Sequence, residues 1–113
     1  MYEGWRFPHE SLGAYRDAVE FLRLVRGWKW PRGCQELQRQ LDRAALSVVL
    51  NVCEGRNQKY GGNSGKNFYR IALGSAGECH GALEVHEVLT GANHARERRV
   101  LQKVGAQVSG LAR

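Results

Sequence analysis

Cysteine is scarce in this chain and poorly placed for staples. Cys34, Cys53 and Cys79 are odd in number and show no C-x-x-C spacing, which argues against a disulfide framework or a zinc knuckle and fits reduced thiols. Long apolar runs are lacking too: no stretch approaches the roughly 20 residues a membrane span needs, so no membrane role is expected. The opening MYEGWRFPHE is polar and aromatic and carries no charged region followed by an apolar one, so no signal peptide is expected and the cytoplasm is the expected location. Nothing alternates with period two for long enough to make a strand, and no internal repeat or low-complexity tract is present. Acidic residues are in deficit, 11 against 17 Lys and Arg, giving a net charge of +6 and a pI near 9.7. That balance favours a polyanionic partner, because Lys and Arg release counterions from nucleic acid.

What is there suits one domain over 1–113. The length supports a single core of ordinary size, and 42% apolar with 25% charged residues excludes gross disorder. Apolar periodicity predicts four helices, at about 9–26, 34–54, 64–90 and 93–112. In the first, Leu12, Tyr15, Val19 and Leu22 share a face, and Gly27 and Pro31 end it. In the second, Leu37, Leu41, Ala44, Val48 and Val52 form the stripe. Leu46, Val49, Leu50 and Cys53 add further apolar faces, so this helix is expected to be the most buried, with Gly55 as the residue just past its C-terminus. The third carries Phe68, Ala72, Ser75, Cys79, Ala82, His86 and Leu89 in steps of four and three. Gly74, Gly77 and Gly81 interrupt it at about 1 kcal/mol each, a cost that close helix–helix approach would offset. The fourth presents Leu101, Val104, Val108 and Leu111. Short connections make this an all-α, up-down-up-down antiparallel four-helix bundle.

A polar line runs along the second helix. With 100 degrees per residue, Gln40, Arg43, Ser47, Asn51 and Glu54 lie on one side, and Glu36 joins them a turn earlier; the third helix offers Ser75 and Glu78. A Glu54–Glu78 pair would suit acid–base or metal chemistry. Arg43 on the same line would neutralise a carboxylate, and the paired Glu-x-x-His motifs of di-iron bundles are missing. The reading adopted is a hydrogen-bonded seam that sets helix register, with Glu78 and Ser75 as partners of Asn51 and Glu54. No catalytic residue, cofactor or metal is assigned, and the chain reads as a non-enzyme.

Other motifs carry competing readings. GGNSGKN, 61–67, fails as a phosphate-binding loop: its first glycine is displaced by one, Asn67 stands where Ser or Thr is required, and no strand precedes it. Anion binding by Arg56, Lys59 and Lys66 at a helix N-terminus competes with a solvated loop. His80, Glu84 and Glu87 share a face at metal-like spacing, but a solvated face has the same pattern. In RLVRGWKWPRG, Trp28 is a candidate for base stacking, whereas Trp30 is assigned to packing. In RERRVLQK, Arg96, Arg99 and Lys103 share one face, with Arg98 to the side, and these four residues are the main candidates for phosphate contact.

The ordered series WP at 30–31, then L-x-x-Q-L-x-R-A-x-x-S-x-x-x-N-x-x-E-G across 37–55 and F-x-x-x-A-x-G-S-x-x-E across 68–78, resembles the bacterial four-helix bundle proteins associated with intervening sequences in 23S ribosomal RNA genes. That group includes the accessory protein of diversity-generating retroelements. Trp30 stands where the family usually has Phe, Cys79 replaces a common Leu, and the loop after Gly55 is longer and richer in glycine than most. The resemblance implies a homopentameric ring, usually without known enzymatic activity, and in the retroelement branch a basic ring that partners a reverse transcriptase and nucleic acid. A ring would repeat the 96–103 cluster once per subunit and sum it into a strong field. The leading expectation is therefore an oligomeric scaffold that binds RNA or DNA; the alternative is a protein-docking module with no nucleic-acid role.

Overall fold

A computed structural model describes residues 3–113. A 3-10 turn, Pro8–Ser11, leads into α1 (Gly13–Arg26), α2 (Gln35–Tyr60), α3 (Lys66–Thr90) and α4 (Ala95–Leu111). Each helix packs on two neighbours, α1 and α3 both lying between α2 and α4, and α2 packs most extensively on α3. The antiparallel order follows from the chain: α1 starts where α2 ends, and its far end meets the end of α3. This is the expected four-helix bundle.

The core is built from both small and large residues. Phe21, Leu41, Val52, Tyr69, Leu83, Val104 and Val108 are fully buried, with Cys79 among them; burying each large apolar side chain contributes roughly 1.5–3 kcal/mol. On α1 the innermost stripe is Ala14, Ala18, Phe21 and Val25. Leu12, Tyr15, Val19 and Leu22, expected at the centre, are only partly buried and flank it. Alanines at the contact let the helix axes approach closely, which moves the larger residues to the margins of the interface. On α3 the buried set is Tyr69, Ala72, Ser75, Ala76, Cys79, Leu83 and His86, so Tyr69 rather than Phe68 enters the core and Leu89 is exposed.

The second helix departs most from expectation. It continues through Gly55 to Tyr60, sustained by side-chain bonds one turn back from Gln58 to Glu54 (2.9 Å) and from Asn57 to the Cys53 sulfur (3.5 Å). Its end is a Schellman arrangement: Gly62 N–H donates to Lys59 C=O (3.1 Å), Asn63 N–H donates to Gln58 C=O (2.8 Å), and Gly62 takes a φ of 99°. Gly62 is thus the terminal glycine that Gly55 was expected to be. Gly55 instead serves packing, because a Cβ there would lie 2.7 Å from Cε1 of Tyr69. The opening of α3 presses on the same spot, since a Cβ on Gly65 would come within 2.2 Å of Gly55 C=O.

The glycines of α3 behave differently. A Cβ at Gly74, Gly77 or Gly81 would meet nothing within 4 Å, so the close approach expected to offset their cost does not occur within this chain.

Candidate functional site

The polar line of α2 divides into separate pieces. At its centre Ser47 Oγ and Ser75 Oγ lie 2.8 Å apart, and Asn51 Nδ2 donates to Ser47 C=O (2.9 Å) and to Ser47 Oγ (3.1 Å). These bonds satisfy the amide that interrupts an otherwise apolar helix, and Ser75 is buried while Ser47 and Asn51 are half-buried. Glu54 turns the other way: it accepts from Gln58, which in turn accepts from Asn63 (2.9 Å). Gln40, Arg43 and Glu78 are exposed, and Gln40 and Glu78 line a shallow groove with Leu37, Gly81, Ala82 and Val85. Glu36 pairs with Arg39 (3.5 Å). Of the two partners expected on α3, Ser75 meets the line through Ser47, whereas Glu78 bonds neither Arg43 nor Glu54. Neither the carboxylate pair nor the Arg43–Glu78 link is formed.

A second polar cluster lies where the α1–α2 connector crosses α3 and α4. His86 and His94 are both buried, with His86 Nδ1 2.7 Å from His94 Nε2 and His86 Nε2 2.7 Å from Lys29 C=O. Trp28 stacks on His94 at 3.7 Å and 14°, and its Nε1 donates to Glu97 (3.0 Å). Trp30 meets His86 edge-on at 4.5 Å. Trp28 is half-buried, and its stack on His94 and its bond to Glu97 tie it to the bundle, where the sequence offers it as a candidate for base stacking. His94 carries no mark in the sequence, because it sits in a connector where no periodicity applies and Trp28, which stacks on it, is remote in sequence.

The face of His80, Glu84 and Glu87 is also redistributed. His80 lies 3.4 Å from Glu84, but Glu87 turns away to accept from His94 N–H (2.9 Å) and to bind Arg98. The His94 N–H, followed by the Arg98 guanidinium, holds the Glu87 carboxyl below its usual range against the opposing effect of burial. Burial pushes the Cys79 thiol up to about 12, so it is a packing group and not a nucleophile. Cys53 and Tyr69 are shifted upward by burial as well.

The basic candidates fall into two sets. On α4, Arg96 pairs with Glu20 (3.3 Å), Lys103 with Asp17 (3.5 Å) and Arg98 with Glu87, while Arg99 is exposed and has no ion pair among the described residues. Around the α2–α3 turn, Lys59 and Lys66 are exposed and likewise unpaired among the described residues, and Arg70, one turn into α3, joins them although its position in the sequence gives no hint. Arg56 is half-buried beside Tyr69, its Nε enclosed without a partner.

One face of the bundle is apolar and uncovered. Leu46 and Leu50 of α2, expected inside, are exposed alongside Ile71, Val85 and Leu89 of α3. They lie on the outer side of the Ser47–Ser75 contact, the side away from the core stripes of both helices.

Among the described residues no helix is long and apolar enough to cross a membrane. A family model described as 23S rRNA-intervening sequence protein matches residues 10–107. No curated protein and no solved structure matches the chain.

Proposed function

The chain belongs to the 23S rRNA-intervening sequence protein family, and from that premise we propose that it is a non-enzymatic cytoplasmic scaffold that assembles with copies of itself and binds RNA or DNA. The observation that carries this reading is the group Lys59, Lys66 and Arg70, exposed at one turn without a carboxylate partner among the described residues in a chain of net charge +6. Arg99 adds a further cation that pairs with no described carboxylate. Arg96 and Lys103 are exposed cations held by half-buried carboxylates; ion pairs at a surface contribute on the order of 0–1 kcal/mol and weaken with salt, so phosphates compete for them. Arg98, tied to Glu87, leaves the contact set and acts as a brace. The uncovered face of α2 and α3 supports self-association, and a pentameric ring of the kind the sequence resembles would multiply these cations into one field. In a retroelement setting, the enzyme such a ring would serve is a reverse transcriptase. Glu54, held by Gln58, and Glu78, standing apart, favour a scaffold over acid–base chemistry.

A protein-docking module without a nucleic-acid role is the second reading, and a specific observation favours it: Arg96, Arg98 and Lys103 are each engaged by a carboxylate of their own chain. The two separate by mass in solution with and without RNA, combined with affinity measured across a salt series. The scaffold reading expects an oligomer that retains RNA or DNA, with log affinity falling linearly in log salt. An oligomer that holds no nucleic acid even at low ionic strength leaves the docking module.

A further inference from the structure

We propose that the end of the bundle where α2 passes into α3 is a platform for single-stranded nucleic acid, with bases stacking on Trp5, Phe7 and Tyr60 and phosphates meeting Lys59, Lys66 and Arg70. The proposal rests on the nucleic-acid reading above and specifies its ligand and its aromatic half.

Trp5, Phe7 and Tyr60 are 57%, 55% and 73% exposed, a large aromatic area left in water at one end of a small bundle. The rings are held in place. Trp5 and Phe7 meet edge to face at 4.6 Å, Phe7 lies 5.7 Å from His9, and His9 meets Tyr15 of α1 at 4.6 Å. His9 Nδ1 is 3.2 Å from Asn57 Nδ2, which anchors the series to the last turns of α2. Phe7 N–H donates to Glu10 (2.6 Å), and the same carboxylate pairs with Arg6 at 3.6 Å, so this acid is neutralised where it stands. A ring ordered before binding loses less conformational entropy when a base stacks on it.

Topology brings the charges to the same end. Tyr60 closes α2, Lys59 precedes it, Lys66 opens α3 and Arg70 follows one turn later. Among the described residues all three cations are exposed and without an ion pair, whereas Arg96, Arg98 and Lys103 each face a carboxylate. Exposed rings beside free cations match a strand whose bases are unstacked, because each base then offers a π-face while its phosphate meets an ammonium or guanidinium. A duplex keeps its base faces stacked inside and gains only the phosphate contacts. The combination therefore selects single strands.

The test is fluorescence anisotropy of the full-length protein with labelled oligothymidylate and with a duplex of the same length. The wild type is expected to prefer oligothymidylate. Trp5→Ala combined with Phe7→Ala should weaken that binding by about tenfold or more, with duplex affinity and the salt slope unchanged. Trp5→Tyr should restore most of the loss, since a stacking ring returns. Lys59→Ser, Lys66→Ser and Arg70→Ser together should weaken both ligands and flatten the salt slope. Because all these side chains are exposed, an unchanged helical circular dichroism spectrum is expected for every variant. If the aromatic variant binds oligothymidylate like the wild type, or the duplex is held as tightly as the single strand, the platform is overturned and the broader basic-surface reading survives. If the wild type holds neither ligand at low salt, both readings fall together.

Discussion

His86 and His94 face each other across 2.7 Å in the interior, and the Lys29 carbonyl sets the direction of the hydrogen bond between them. His86 Nε2 lies 2.7 Å from Lys29 C=O, a group that only accepts, so Nε2 carries the proton. In the neutral ring Nδ1 is then the acceptor, and His94 Nε2 donates to it. That tautomer leaves His94 Nδ1 facing Glu97 at 3.4 Å, while Trp28 covers the ring. The pair thus fastens the α1–α2 connector to α3 and α4 through one carbonyl, two imidazoles and an indole.

His86→Phe should keep an aromatic ring and remove both hydrogen bonds, leaving the Lys29 carbonyl and the buried His94 Nε2–H without these partners. Each orphaned group costs about 1–3 kcal/mol, so a loss of several kcal/mol in urea unfolding is expected, together with a change in tryptophan emission as Trp28 shifts. A variant with wild-type stability would show that the pair is not what holds the connector.

Acid should weaken the same corner through Glu87. Its folded carboxyl is held below the usual range, first by His94 N–H and then by Arg98. A depressed carboxylate contributes stability above its unfolded value and loses it as pH falls through its folded value. Thermal melting across the acid range should therefore fall less steeply for Glu87→Gln than for the wild type, the variant having already lost the contribution. Parallel pH profiles for the two proteins would contradict the assignment.

The contrast between recognisable and hidden features is physical. The ordered pattern from Trp30 to Glu78 was legible because helix periodicity and polar spacing are local, and four helices with short turns admit few packings. The end of α2 was misread because a glycine after an apolar run looks the same whether it ends a helix or admits an aromatic ring; Tyr69, which decides between them, lies on another helix. Leu46 and Leu50 read as core residues because an apolar side chain carries no mark of whether its face turns inward or outward. Trp28 reads as a stacking ring for a similar reason: His94, which stacks on it, is remote in sequence. At the seam, the spacing of Ser47 and Asn51 is local and legible, but the partners of Glu54 and Glu78 depend on rotamers that no periodicity encodes.

Gly55→Ala should destabilise in spite of propensity. Alanine favours a helix interior by about 1 kcal/mol over glycine, yet its methyl would sit 2.7 Å from the Tyr69 ring, and overpacking of this kind costs about 1–3 kcal/mol. A net loss in urea midpoint is expected. Tyr69→Leu in the same background should recover part of it, since the ring that blocks the methyl is gone. A stabilised single variant would mean that the ring moves aside freely.

Gly81→Ala and Leu50→Glu together probe the uncovered face. A methyl on Gly81 meets nothing within 4 Å, so the isolated chain should gain up to about 1 kcal/mol from helix propensity. Gly81 also lines the groove beside Glu78 and Val85, on the side of α3 where a second copy would approach, so the same methyl should obstruct assembly. Leu50 is exposed, and Leu50→Glu should leave the fold of the subunit unchanged while placing a charge on the contact. Sedimentation should show both variants shifted toward the monomer, Gly81→Ala with a higher melting point once dissociated and Leu50→Glu with an unchanged helical spectrum. Wild-type mass for both would remove this face as the self-contact and point to another partner for it. A lowered mass with collapsed helical signal would instead mean that the subunit folds only within the assembly.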